Sequence, residues 1–173
     1  MRSKGFTLIE MMVALGIFSV LLVAVMNTFV KGFAAQKKVA EMQAVQRDGV
    51  YLMEIISREI RMASNITSAS GTSGTSVSFL SHDGLTPDTL CLFNSGTNSC
   101  SSITGSSDFA FNNTVINSSD VKVASLHFYC SNGNYGASEP MITFSMTLQS
   151  VKDPTVQIPF QSSASMRLYA QHP

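Results

Sequence analysis

The chain has 173 residues, and its 11 Lys and Arg side chains balance 11 Asp and Glu, so its formal net charge is zero. This balance argues against a nucleic-acid-binding domain, which usually carries a basic excess. Only 13% of the residues are charged and 45% are hydrophobic, which argues against global disorder. The length suits one modest domain with an appendage.

The charges are distributed unevenly along the chain. Arg2 and Lys4 precede a long apolar run that contains a single charge, Glu10. A zone dense in charge follows, and the last zone is rich in Ser and Thr and poor in charge. We therefore expect a leader, a membrane-spanning helix, an amphipathic continuation of that helix and a β-rich globular domain, in the order 1–5, 6–30, 31–63 and 64–173.

The apolar run is long enough to cross a bilayer, since a helix of this length spans roughly 37 Å against a hydrocarbon core of about 30 Å. Arg2 and Lys4 predict that the N-terminus stays in the cytoplasm and that the chain after Val30 lies outside. A cleaved secretory signal is the alternative, and Gly32 and Ala34 offer a small-residue pair for it. Signal-peptide apolar regions are shorter, about 7–15 residues, so we expect a retained single-pass anchor.

Helical periodicity continues beyond the apolar run. Steps of three and four residues place one stripe on a helix face, which predicts packing on the chain's own globular domain; its members are Val39, Met42, Val45, Gly49, Leu52, Ile56, Ile60 and Ala63. A coiled coil is disfavoured because the register drifts and Gly49 occupies a seam position. The Ser- and Gly-rich run 64–71 is expected to end the helix in a turn.

The period then changes to that of strands bounded by turn residues. The predicted strands are 77–80, 89–93, 109–111, 121–129, 141–148, 156–158 and 165–169, with Pro154 and Pro159 restricting edges. An antiparallel sheet packed on the helix stripe would bury both apolar faces. The predicted fold class is therefore α+β.

Glu10 needs a physical explanation because a carboxylate within a membrane segment costs on the order of 2–4 kcal/mol unless it is paired or lies near an interface. Its position near one end of the run allows snorkelling to water. Alternatively, another group supplies a cation. Cleavage between Gly5 and Phe6 would create an α-amino charge on the same helix face, four residues before Glu10.

The run from Lys4 to Glu10, KGFTLIE, followed by an uninterrupted apolar helix, resembles the prepilin signature of type IV pilins and type II secretion pseudopilins. The resemblance implies that a prepilin peptidase cuts after Gly5, that Phe6 is then N-methylated, and that Glu10 assists docking into a filament. It also implies other pilin or pseudopilin subunits and a pilus assembly platform as partners. The expected location is the bacterial inner membrane, followed by the cell surface or a periplasmic pseudopilus.

Three further segments, MVALGIF at 12–18, SREIR at 57–61 and FQSSASMRL at 160–168, resemble minor pilins of the W type and J-type minor pseudopilins. The outer half of the apolar run has Asn27 and no proline, which departs from many major pilins. These features favour a minor pilin that initiates, caps or joins a type IV pilus. A minor pseudopilin of a type II secretion system and a membrane-anchored envelope binding protein are the alternatives.

Three cysteines allow three possible single disulfides. A bridge between Cys91 and Cys100 is favoured because a short loop closes at low entropic cost, and Cys130 would be the spare thiol. Disulfides fit an exported domain.

No enzymatic or metal-binding motif is present, so we expect no catalytic residue, no cofactor and no metal. Asp83 and Asp88 could suggest a calcium loop, but solvated turn residues explain them better. Asn65, Asn112 and Asn117 lie in Asn-x-Ser/Thr triplets, which are expected by chance in a chain this rich in Ser and Thr. The tyrosines, in an outer zone with more acidic than basic residues, do not predict nucleic-acid binding. The loops near Cys91 and at 132–135 show no readable specificity.

Overall fold

A computed structural model of the chain describes residues 5, 7–69, 74–81, 85–94, 99–100, 107–130 and 141–166. Within these residues, helix α1 (Leu8–Met62) precedes the strands β1 (Asn65–Ala69), β2 (Ser76–Leu80), β3 (Pro87–Asn94), β4 (Ser99–Cys100), β5 (Asp108–Phe111), β6 (Thr114–Val115), β7 (Val121–Cys130), β8 (Met141–Ser150) and β9 (Gln157–Ser165). The predicted α+β class is confirmed: one long N-terminal helix packs, through its later part, against antiparallel sheets.

The chain divides into two compact units, residues 1–40 and residues 41–173. The first unit contains the apolar part of α1, whose side chains are exposed. No proline interrupts the helix, and Asn27 is accommodated within it. This apolar part is long enough to cross a membrane, by length and composition.

The second unit contains the rest of α1 and both sheets. The first sheet has the order β1-β2-β3-β5-β6 with β4 paired to β3, and the second has the order β7-β8-β9. Two isolated bridges, Gly74–Phe128 and Ser107–Val123, connect β7 to segments that flank the strands of the first sheet.

The core of this unit forms between the helix stripe and the inner sides of the strands. Strand β8 alternates almost strictly between buried and half-buried residues, as a half-buried strand does. Its buried side chains join those of the other strands and of α1 in a single cluster, to which the helix contributes Val45, Leu52, Ile56 and Ile60.

The predicted helix stripe is wrong at two positions, Val39 and Met42. Val39 and Met42 are exposed by 50% and 43%, whereas Glu41 and Asp48 are buried. Burial of these two carboxylates is tolerated because each accepts a hydrogen bond, Glu41 from Ser150 and Asp48 from Ser118.

Two strand predictions also need correction. The predicted turn at 64–71 contains strand β1, which pairs with β2 and buries Ile66. The predicted break after 156–158 is absent, because β9 runs through Pro159 to Ser165. Residues 167–169 of the last predicted strand lie outside the described residues. Among the described strands β9 pairs only with β8, and a proline is tolerated on such an edge, where its missing N–H removes no bond from the ladder.

Candidate functional site

The N-terminal motif lies at the start of α1. Thr7 occupies the N-cap position: its Oγ1 accepts a hydrogen bond from the backbone N–H of Glu10 (3.3 Å), and its carbonyl accepts one from Met11 N–H (3.3 Å). A Thr at this position satisfies one of the unpaired N–H groups of a helix start. Gly5 is exposed, and Phe6, Arg2 and Lys4 lie outside the described residues.

Glu10 is exposed on the first turns of α1, beside a shallow apolar groove lined by Thr7, Ile9, Val13, Ala14 and Ile17. In the described part of this unit the nearest basic residue along the helix is Lys31. At 1.5 Å per residue, that lysine lies about 31 Å along the axis. Within the part of the unit that the structure describes, Glu10 therefore has no cation within ion-pairing distance.

The hydroxyl groups of the apolar segment are satisfied within the helix. Ser19 donates to the carbonyl of Leu15 (2.8 Å), and Thr28 donates to that of Ala24 (3.0 Å). A hydroxyl that bonds back to the preceding turn does not need water or a partner side chain. These residues therefore suit a helix that is surrounded by lipid tails or by other apolar helices.

In the second unit, α1 and β9 come close together at Gly49. A Cβ at this position would overlap the ring of Phe160. Gly49 is buried in the packed helix face, and Phe160 lies half-buried against the core. The glycine is therefore required by packing rather than by backbone conformation.

Two carboxylates hold turns of the second sheet against α1. Glu41 Oε2 accepts a hydrogen bond from Ser150 Oγ (2.8 Å), and Asp48 Oδ2 accepts one from the backbone N–H of Ser118 (3.1 Å). Ser150 Oγ in turn accepts the N–H groups of Lys152 and Asp153, at 3.2 and 3.3 Å. One helix face thus fixes the turn before β7 and the turn after β8.

Lys152 joins these two turns. Its Nζ lies 3.1 Å from Asp120 Oδ1, and Val151 N–H donates to the Asp120 carbonyl at 2.9 Å. The hydrogen bond to Asp120 and the charge of that carboxylate, followed by the charge of Glu41, raise the pKa of Lys152 above its usual 10.5. The ammonium group remains exposed to solvent.

Asn117 organises a second polar cluster between the sheets. Its Oδ1 accepts the N–H of Phe109 (2.6 Å), and its Nδ2 donates to Asp108 Oδ1 (3.0 Å) and to the carbonyl of Val121 (2.7 Å). Lys122 Nζ contacts both oxygens of Asp108, at 2.6 and 2.8 Å. The amide of this Asn-x-Ser triplet is therefore part of the fold.

Asn112 has a comparable structural role at the β5–β6 turn. Its Oδ1 accepts Thr89 N–H (2.8 Å), and its Nδ2 donates to Asp88 Oδ1 (2.7 Å). Asn112 and Asn113 adopt φ of 50° and 63°, the left-handed region that a two-residue hairpin turn requires and that Asn tolerates. Asp88 therefore serves this turn, and Asp83 lies outside the described residues.

The structure joins Cys91 and Cys100 by a disulfide with a Cα–Cα distance of 5.6 Å. Cys91 is fully buried beside Phe93 and Ala110, and Cys100 is exposed on β4. Cys130 is half-buried at the end of β7, outside this bond.

Among the described residues, no group of three or more His, Cys, Asp or Glu side chains could hold a metal ion. The segment 132–135, which the sequence left without a readable specificity, lies outside the described residues. Sequence reasoning singled out Glu10 but missed Glu41 and Asp48 as buried contacts. The one signal in the sequence is their spacing: Glu41, Val45 and Asp48 are separated by four and three residues, which places all three on the same helix face.

A family model described as the prokaryotic N-terminal methylation motif matches residues 1–26. No curated protein and no solved structure matches the chain. The motif indicates a prepilin substrate like those of type IV pilins and pseudopilins, and together with the apolar helix it fits a protein anchored in the inner membrane. It implies processing by a prepilin peptidase and assembly with other pilin subunits.

Proposed function

We propose that this chain is a minor type IV pilin that is cut between Gly5 and Phe6, methylated at Phe6, and built into, or placed at the start or tip of, a type IV pilus. The observation that carries this proposal is the methylation motif on residues 1–26, followed directly by an exposed apolar helix. The chain acts as a subunit of a polymer rather than as a catalyst.

Transfer of the apolar part of α1 from the bilayer into water would be unfavourable, so we expect this part to leave the bilayer only for another apolar environment. Large side chains from Leu8 to Phe33 are between 45% and 79% exposed. Burial of such a surface contributes roughly 25 cal/mol per Å² relative to water. The helices of neighbouring subunits supply that burial in a filament, as lipid tails supply it before assembly.

Glu10 is the proposed docking residue. On leaving the membrane interface its carboxylate would be desolvated, and the cost falls when a cation lies within about 4 Å. The new amino group at Phe6, on its own or on a neighbouring subunit, is the candidate partner. The exposure of Glu10 and its distance from Lys31 leave it available for such a partner.

The resemblance of SREIR at 57–61 and FQSSASMRL at 160–168 to W-type minor pilins and J-type minor pseudopilins supports a minor subunit. A minor pseudopilin is the second candidate, because the methylation motif and α1 serve both machines equally. Loss of surface filaments after deletion of the chain supports the pilus, whereas loss of protein export with filaments intact supports the secretion system.

The proposal is tested with Glu10→Ala and Glu10→Asp in the native host. We expect both variants to be cut and methylated, while Glu10→Ala reduces the amount recovered in sheared filaments by at least tenfold. Glu10→Asp keeps the charge and retains part of the assembly. Glu54→Ala, which removes an exposed carboxylate later on the same helix, is the matched control. Normal incorporation of Glu10→Ala would refute the docking role.

A further inference from the structure

The region where α1 leaves the apolar segment carries an uninterrupted positive charge. Between Glu10 and Glu41 the charged residues are Lys31, Lys37 and Lys38, and all three are exposed. No Asp or Glu lies between residues 11 and 40, and Glu41, one helix turn after Lys37 and Lys38, accepts a hydrogen bond from Ser150. Three exposed ammonium groups within eight residues therefore form a cationic patch that is accessible to an anionic partner.

Helix geometry places these lysines at a membrane surface. The uncharged stretch between Glu10 and Lys31 comprises residues 11–30, which span about 30 Å at 1.5 Å per residue, the thickness of a hydrocarbon core. Lys37 and Lys38 lie roughly 10 Å further along the axis, and flexible lysine side chains reach back to the headgroup level. All three charges can thus meet the headgroup layer on the side away from the N-terminus.

Aromatic rings mark the same level of the helix. Phe29 and Phe33 are exposed by 61% and 66%, and their ring centroids lie 6.4 Å apart on one face. By helical periodicity, Lys31 and Lys38 share a different face. The two Phe rings therefore extend the exposed apolar surface of the helix to the level of Lys31.

We propose that Lys31, Lys37 and Lys38 form a collar that binds the phosphates of anionic phospholipids in the outer leaflet of the membrane. This inference deepens the proposed function, since it concerns the subunit before assembly. The collar sets the depth of the waiting subunit and adds lipid contacts that must be released when the helix is extracted. The lysines are accessible to an anionic group, and the bilayer implied by the adjacent apolar stretch supplies phosphates at their level of the helix.

The test is the selectivity of the full chain for spin-labelled phosphatidylglycerol over spin-labelled phosphatidylcholine at its surface in phosphatidylcholine vesicles, measured by electron paramagnetic resonance. Every chain compared carries Arg2→Gln and Lys4→Gln, so the leader contributes no charge. We expect the wild-type collar to give a selectivity of roughly three- to fivefold that falls toward one in 1 M salt. Replacement of the collar by Lys31→Gln, Lys37→Gln and Lys38→Gln should reduce it to about one at low salt.

A control chain with Arg47→Gln, Arg58→Gln and Arg61→Gln loses the same number of positive charges from the same helix, beyond reach of the bilayer, and should keep the selectivity. The proposal is overturned if the chain with all three lysines shows a lipid selectivity near one. It is also overturned if the control chain loses as much selectivity as the chain without the three lysines. An unchanged selectivity after loss of the three lysines also overturns it. N-terminal processing of the collar variant in the host, with Arg2 and Lys4 retained, is measured separately, so failure of the collar is distinguishable from failure of the prepilin assignment.

Discussion

At Gly49 the addition of one methyl group is predicted to destabilise the second unit. Gly49→Ala adds a methyl group that overlaps the ring of Phe160. Overpacking costs about 1–3 kcal/mol, and a better helix propensity returns up to about 1 kcal/mol. We expect a net loss of roughly 1–2 kcal/mol, seen as a lower Tm of the full chain in detergent.

The matched control is Gly32→Ala, where an added Cβ meets no atom within 4 Å. This variant should not lower the Tm, because it gains helix propensity without a clash. Phe160→Ala should weaken the effect of Gly49→Ala in a double-mutant cycle. An equal loss from Gly49→Ala with and without Phe160 would contradict the packing explanation.

Glu41 is predicted to stabilise the second unit through Ser150. Glu41→Ala leaves the buried Ser150 hydroxyl without its acceptor, which costs about 1–3 kcal/mol. Thermal unfolding of the full chain measures this loss, and exposed Glu54→Ala should leave the Tm within about 1 °C. Comparable effects of the two substitutions would refute the importance of the contact.

Lys152 makes stability depend on pH in the alkaline range. Its pKa is raised in the folded chain, so its contribution is fully present below the unfolded value near 10.5 and is lost as pH rises through the folded value. We expect Lys152→Gln to lower the Tm by a small, constant amount from pH 6 to 9. The difference from wild type should shrink above pH 10.5, and a difference that grows there would contradict the ion pair with Asp120.

At the residue scale, the sequence alone pointed to Gly5, Phe6 and Glu10 because their order and spacing form a local motif. It did not predict the role of Gly49, because the ring that requires a glycine belongs to a strand far along the chain. It also did not predict the contact of Glu41, since a hydrogen bond from Ser150 is a tertiary contact with no local signature.

Among the secondary-structure elements, α1 was predictable because its apolar run and its later stripe extend over many turns without a proline. The strands with strong alternation, such as β8, were also predicted. The continuity of β9 was missed because Pro159 indicates a break unless the strand is known to lie at an edge. Strand β1 was missed because the run 64–71 that contains it is rich in Ser and Gly, which is typical of turns, and only pairing with β2 makes it a strand.

The β3–β4 disulfide is an element whose contribution can be measured directly. The bond closes a loop of sequence separation 9, for which chain entropy gives roughly 3 kcal/mol. Cys91→Ala combined with Cys100→Ala should lower the free energy of unfolding by about that amount in denaturant titrations. Cys130→Ser serves as the control, and peptide mapping without reductant should still find Cys91 joined to Cys100. Mapping that finds Cys130 in the bond would contradict the pairing.

For the whole molecule, the same helix serves two environments. Residues up to 40 present apolar side chains to their surroundings, while from residue 41 onward one helix face is part of the core of a folded domain. The change occurs at Glu41, the first residue that the second unit holds by a side-chain contact. A subunit of a polymer needs both properties: an assembly surface and an independently packed domain.

The central claim is tested most directly by the intact mass and N-terminal sequence of the protein recovered from its native membrane. We expect a chain that begins at Phe6, lacks residues 1–5 and carries one additional methyl group on its terminal nitrogen. Glu54→Ala should give the same mature N-terminus. An uncut chain that begins at Met1, or a cut near Ala34, would contradict the prepilin assignment and leave an anchored or exported β-rich domain.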